Sequence, residues 1–126
     1  MKNIHKLAAI DIGSNAVRLL ITSIRINKSE TKFKKISLVR VPLRLGEDVF
    51  SKGKISDKKL KKLQKTLKAF KILMQMHEVY MFKAVATSAM REAENSTKII
   101  EDIFKKLNIK IDLISGKKEA LMIANV

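Results

Sequence analysis

At 126 residues the chain has the length of one compact domain, and a fold of that size buries roughly two-thirds of the surface its unfolded chain exposes. Against 12 Asp and Glu stand 27 Lys and Arg, a net charge of +15, yet 46% of the residues are hydrophobic; a disordered basic tail is excluded, and a folded protein with polyanionic partners is expected. Cysteine is absent, which excludes disulfides, thiolate nucleophiles and zinc–cysteine sites.

Nothing in the sequence reads as an address or a membrane span. The apolar run Leu7 to Ile10 is cut off by Asp11, so the mature chain is expected to start at or near Met1, in the cytoplasm and with no membrane partner.

Leu7 to Ile12 is a short, nearly uncharged run closed by Gly13-Ser14-Asn15. It reads as a strand entering a turn in which Gly and Asn tolerate positive φ. Val17 to Ile26 alternates, with Val17, Leu19 and Ile21 on one side and Arg18, Leu20, Thr22, Ile24 and Ile26 on the other. Asn27 to Lys32 is turn-like, and Phe33 to Pro42 alternates again, setting Ile36, Leu38 and Arg40 against Lys35, Ser37, Val39 and Val41. Three antiparallel strands therefore open the chain.

Arg44-Leu45-Gly46-Glu47 reads as a loop after the third strand. Ser56 then caps a helix along which Leu60, Leu63, Leu67, Phe70 and Met74 recur at helical spacing, with lysines opposite. Val79 to Ala86 reads as a buried strand, Ser88 to Glu94 as a short helix, Thr97 to Leu107 as an amphipathic helix and Ile109 to Ile114 as a strand. Gly116 ends that strand, and Lys117 to Val126 begins a helix whose apolar stretch Leu121-Met122-Ile123 meets the chain end. The order β-β-β-α-β-α-α-β-α predicts an α/β fold, a ribonuclease-H-like or actin-like half domain on one mixed sheet, over residues 1–126.

Three segments could carry chemistry. In Asp11-Ile12-Gly13-Ser14-Asn15, a tight turn can aim backbone N–H groups and short polar side chains at a phosphate, while Asp11 orders a metal-bound water; a plain hairpin with an acidic flank would look the same. In Thr87-Ser88-Ala89-Met90-Arg91, Thr87 or Ser88 caps a helix that starts directly after a strand, and Arg91 one turn on can hold an anion bidentately or simply point into solvent. In Ser115-Gly116-Lys117-Lys118-Glu119, the Glu in the first helical turn stays ionised, suited to a base that orients or deprotonates water or to dipole compensation alone.

Together, LAAIDIGSNAVRLLI, VPLRLGEDVFSKGKIS, AVATSAMREAEN and IDLISGKKEA resemble, in order and spacing, the amino-terminal half of the exopolyphosphatase and guanosine-pentaphosphate phosphohydrolase family. The resemblance runs from about Leu7 to the last residue and implies a branch of the actin-like, hexokinase-like and Hsp70-like superfamily, in which two domains flank a cleft. It implies that Gly13, Ser14 and Asn15 form the first phosphate loop with Ser88 among the substrate-binding residues, that Asp11 sits by a magnesium ion, that Arg91 grips phosphate, and that Glu119 is the catalytic base. The implied substrates are inorganic polyphosphate or guanosine pentaphosphate, and the implied full-length assembly is a homodimer. Positioning and charge neutralisation suffice for phosphoryl transfer, so this set of residues is chemically adequate.

Two departures stand out. The family pattern pairs two Glu residues after Ser-Gly, and here the first is Lys118. The family's second phosphate loop is absent, so the domain is expected to be truncated and inactive alone. Lys58, Lys59, Lys61, Lys62, Lys65, Lys68 and Lys71 could follow a polyphosphate or nucleic-acid backbone or form a solvated face; only six aromatic residues, Tyr80 and five Phe, disfavour nucleic acid. His5 and His77 have no partner at ligand spacing. A small-molecule kinase of the same superfamily and a basic nucleic-acid-binding module remain the alternatives.

Overall fold

The computed structural model describes residues 4–27 and 29–115. In chain order the elements are strands β1 (Ile4–Ile12), β2 (Val17–Ile26) and β3 (Thr31–Val41), helices α1 (Leu45–Lys52) and α2 (Asp57–Met76), strand β4 (Met81–Ala86), helices α3 (Ser88–Glu92) and α4 (Ser96–Leu107), and strand β5 (Ile111–Leu113). The five strands form one sheet in the order β3-β2-β1-β4-β5. The first three pair antiparallel, while β4 lies parallel to β1 and β5 parallel to β4. This is the ribonuclease-H-like mixed sheet that the order of elements predicted.

Alternation builds the core. In the β1–β2 register Ala8 faces Ile21, Ile10 faces Leu19 and Ile12 faces Val17, and all six are buried on one side. Leu63, Leu67, Phe70 and Met74 of α2 and Ile99 and Ile103 of α4 join the same cluster. Each such side chain contributes roughly 1.5–3 kcal/mol on full burial. On the other side of the sheet, Leu38 and Met81 remain 53% and 56% exposed.

Ser56 caps α2 as predicted, its hydroxyl accepting the Lys59 N–H at 3.3 Å. Between β2 and β3 the register shifts at Ile21/Thr22, leaving Ile36 as the extra residue of a bulge.

One element departs from the sequence reading. The segment Arg44 to Glu47, read as loop, leads into and opens helix α1, Leu45–Lys52. It starts without a side-chain cap, from Arg44 in the left-handed conformation at φ 54°, and stops at Gly53, φ 79°. Glu47 and Asp48 in its first turn and Lys52 in its last oppose the helix dipole, and Leu45 and Val49, one turn apart, enter the core. That i, i+4 pair with the terminal Gly53 was the available signal; of three apolar residues in eight only Leu45 and Val49 face the core, too few for periodicity to reveal.

Candidate functional site at the ends of β1 and β4

Parallel pairing sets Ile12 opposite Ala86, so the turns leaving β1 and β4 emerge side by side. The Thr87 N–H donates to the Ile12 carbonyl at 3.2 Å, and the Ser14 and Ser88 hydroxyls share a hydrogen bond of 2.8 Å. Two of the three sequence segments therefore meet at this end of the sheet. Thr87 was a candidate cap for α3, but neither residue plays that part: Thr87 occupies the position with no side-chain cap bond, and the Ser88 hydroxyl turns to Ser14 instead.

The Gly13-Ser14-Asn15 turn is braced from below. The Gly13 N–H reaches the Ala16 carbonyl at 3.0 Å, and the N–H groups of Gly46 and Arg44 hold the carbonyls of Ser14 and Asn15, each at 2.9 Å. Positive φ plays no part in the turn, contrary to expectation; among the described residues it occurs at Arg44, Gly53, Glu78 and Asn108. Gly13 is needed for space, because a Cβ there would stand 3.0 Å from the Ala16 carbonyl oxygen. Gly46 is needed likewise, since its Cβ would stand 3.1 Å from Ser14 Cβ and 3.0 Å from the Phe50 ring. Sequence reasoning gave Arg44 to Glu47 little part in the site, yet the backbone N–H groups of this segment hold the Gly13-Ser14-Asn15 turn.

Asp11 lies next to last in β1, paired across the strands with Arg18 and Val85. Its Oδ1 is buried with no hydrogen-bond partner among the described residues. Burial pushes this carboxyl above the ordinary aspartate value of 3.8, and the Arg18 charge pulls part of the way back. A buried carboxylate oxygen without a donor suits a cation. Among the described residues no group of three or more His, Cys, Asp or Glu could hold a metal, so Asp11 would be the one protein carboxylate offered to an ion there.

The Arg91 guanidinium donates from Nη1 to the Ile114 carbonyl, and the Ile114 N–H donates to the Ala86 carbonyl at 3.0 Å. Arg91, although exposed, thus ties α3 to the residue that follows β5. Glu119, Lys118 and the helix expected from Lys117 lie outside the described residues. His5 packs against Tyr80 with the rings tilted at 48°, centroids 5.3 Å apart, and His77 closes α2.

A clasp joins α1, the start of α2 and the start of α4. Lys59 Nζ reaches Asp48 at 3.2 Å, Glu47 at 3.5 Å and the Arg44 carbonyl at 2.6 Å. Hydrogen bonds from Ser56, its hydroxyl first and then its N–H, together with Lys59, hold Asp48 down to about 2. The Asn95 side chain, which does not cap α4, instead bridges the Ile55 N–H and carbonyl at 3.2 and 3.0 Å.

The sequence model of the Ppx/GppA phosphatase family matches residues 24–126. The chain belongs to that family. It is 33% identical over 122 residues to a bifunctional 3-dehydroquinate synthase/phosphatase of Fusobacterium nucleatum, covering 94% of this chain and 18% of that protein. It is 30% identical over 115 residues to exopolyphosphatase 1 of Mycobacterium tuberculosis, covering 91% of this chain and 33% of that protein. The crystal structure of the Ppx/GppA family member of Aquifex aeolicus superposes with a TM-score of 0.84 at 31% identity, over 92% of this chain and 37% of that one. This Ppx/GppA chain thus spans a third or less of the length of these two sequence relatives. No helix among its described residues is long and apolar enough to cross a membrane.

Proposed function

We propose that this chain is the amino-terminal domain of a cytoplasmic, magnesium-dependent phosphohydrolase that removes terminal phosphate from inorganic polyphosphate. The observation that carries the reading is the Ser14–Ser88 hydrogen bond, which unites the turns after β1 and β4 beside the orphaned carboxylate of Asp11. The similarity to an exopolyphosphatase favours polyphosphate over guanosine pentaphosphate.

Each residue has a role. Gly13, Ser14, Asn15 and Ser88 bind the terminal phosphate through N–H and hydroxyl donors, and Arg91, with one of its five N–H donors on Ile114, turns others to the anion. Asp11 would hold the magnesium ion, which neutralises phosphate charge when bound. Glu119 takes a proton from the attacking water; the new P–O bond forms as the anhydride P–O bond breaks, releasing orthophosphate and a chain one phosphate shorter. The remaining wall of the cleft and a second phosphate loop belong to a second domain, and the assembled protein is a homodimer.

Phosphate release from long-chain polyphosphate and from guanosine pentaphosphate, with and without magnesium, tests this in a protein that includes both domains. Turnover on polyphosphate upholds the reading. Release from guanosine pentaphosphate alone changes the substrate, and silence on both with phosphate transfer from ATP to a small acceptor replaces the reading with a kinase. For the 126-residue chain by itself no turnover is expected.

A further inference from the structure

The charge of this chain is concentrated in α2. Lys58, Lys61, Lys62, Lys65 and Lys68 recur at spacings of three and four residues and are all exposed, while Leu63, Leu67, Phe70 and Met74 of the same helix are buried. From Lys58 to Lys68 the file runs about 15 Å at the α-helical rise of 1.5 Å per residue.

The described residues do not neutralise this file. Among the described residues the ion pairs engage Lys32, Arg44 and Lys59, and none of the five. Within α2 the only carboxylate is Asp57. Like charges three and four residues apart repel, and that repulsion is relieved only by an anion from outside.

The first turn of α2 is also linked to the turn after β1. Lys59, next to Lys58, holds the Arg44 carbonyl at 2.6 Å, and the Arg44 N–H holds the Asn15 carbonyl of the phosphate-type turn at 2.9 Å. The single aromatic residue of α2, Phe70, is buried, so the file offers no platform on which a nucleic-acid base could stack. A band of cations on one face of a convex helix, about 120° wide at 100° per residue, matches a linear anion without bases.

We infer that Lys58, Lys61, Lys62, Lys65 and Lys68 form a track that holds the body of a linear polyphosphate while its end occupies the Ser14–Ser88 site. This rests on the polyphosphate reading of that site and adds to it a preference for long chains over short ones.

The test is binding of the 126-residue chain to end-labelled long-chain polyphosphate and to tripolyphosphate across a salt series. One variant replaces the five lysines with Gln, which keeps helix propensity. A second removes the same charge elsewhere, at the exposed Lys34, Lys35, Lys83, Lys98 and Lys110. A third, Lys61→Glu with Lys65→Glu, reverses charge in the file with fewer changes. Loss of the track should weaken long-chain binding by about tenfold or more and lower the salt slope by about 3, near 0.7 per lost phosphate contact. Tripolyphosphate affinity should stay within about twofold, and the second variant should lose far less than the first. Equal losses in the first two variants, or duplex DNA binding the file as tightly as polyphosphate, overturns the track. Failure of the site itself reads differently: tripolyphosphate would then not bind, while the long-chain dependence on the five lysines persists.

Discussion

The hydroxyls of Ser14 and Ser88, 74 positions apart in the chain, meet at 2.8 Å. Either can be the donor. The contact joins the turn after β1 to the start of α3, and it exists because β1 and β4 run parallel and end at the same level. Ser14→Ala and Ser88→Ala should each cost about 1 kcal/mol, the net worth of one hydrogen bond with its partner left unpaired, and the double variant little more than either. Denaturant titration of the four proteins measures the coupling; additive losses would mean that the hydroxyls act independently.

Asp11 should trade stability for chemistry. Its folded-state value lies above 3.8, so the native state binds more protons than the unfolded chain between those values, and the ionised carboxylate costs stability as pH rises through them. Asp11→Asn should therefore raise Tm at pH 7, with the gain vanishing as pH falls below the ordinary aspartate value of 3.8, while removing magnesium-dependent phosphate release in a protein with both domains. A lower Tm at pH 7 would show that the carboxylate has a partner that stabilises it.

Asp48 titrates in the opposite direction. With its folded value held at about 2 by Ser56 and Lys59, its contribution is present above the unfolded value and lost as pH falls from about 4 to 2. Asp48→Asn should cost on the order of 1 kcal/mol at pH 7, a figure discounted for solvent around the clasp, and should flatten the acid limb of the stability profile. Unfolding curves at pH 7, 4 and 2 for both proteins check this.

Gly46→Ala probes the support under the phosphate-type turn. The added methyl would stand 3.0 Å from the exposed Phe50 ring, which can swing away, and 3.1 and 3.3 Å from the Cβ and carbonyl oxygen of Ser14, which can move only with the turn. A stability loss of about 1–2 kcal/mol is expected, with a larger proportional loss of polyphosphate affinity. Replacing Phe50 with Ala in the same protein should leave the affinity loss in place; full rescue would put the strain in the ring.

Much of the fold was legible because burial imposes period on a chain. Val17, Leu19 and Ile21 alternate since one face of β2 meets the core, and Leu63, Leu67, Phe70 and Met74 recur by turns since one stripe of α2 does. Helix α1 was not legible, because its Leu45 and Val49 make one contact stripe a single turn long and its start at Arg44 uses a left-handed backbone that no residue type announces.

The sequence by itself determined the residue types of the site, since Gly13, Ser14, Asn15, Ser88 and Arg91 stand in local segments whose chemistry can be read singly. Only the tertiary structure decided what those residues touch. A hydroxyl's partner depends on which strand lies alongside, so Ser88 meets Ser14 instead of capping α3, Arg91 ties down the Ile114 carbonyl, and the Gly46 N–H carries the Ser14 carbonyl. Composition also set the lysine content, but the helix period and the buried side of α2 decided that five of those charges line up on one exposed file.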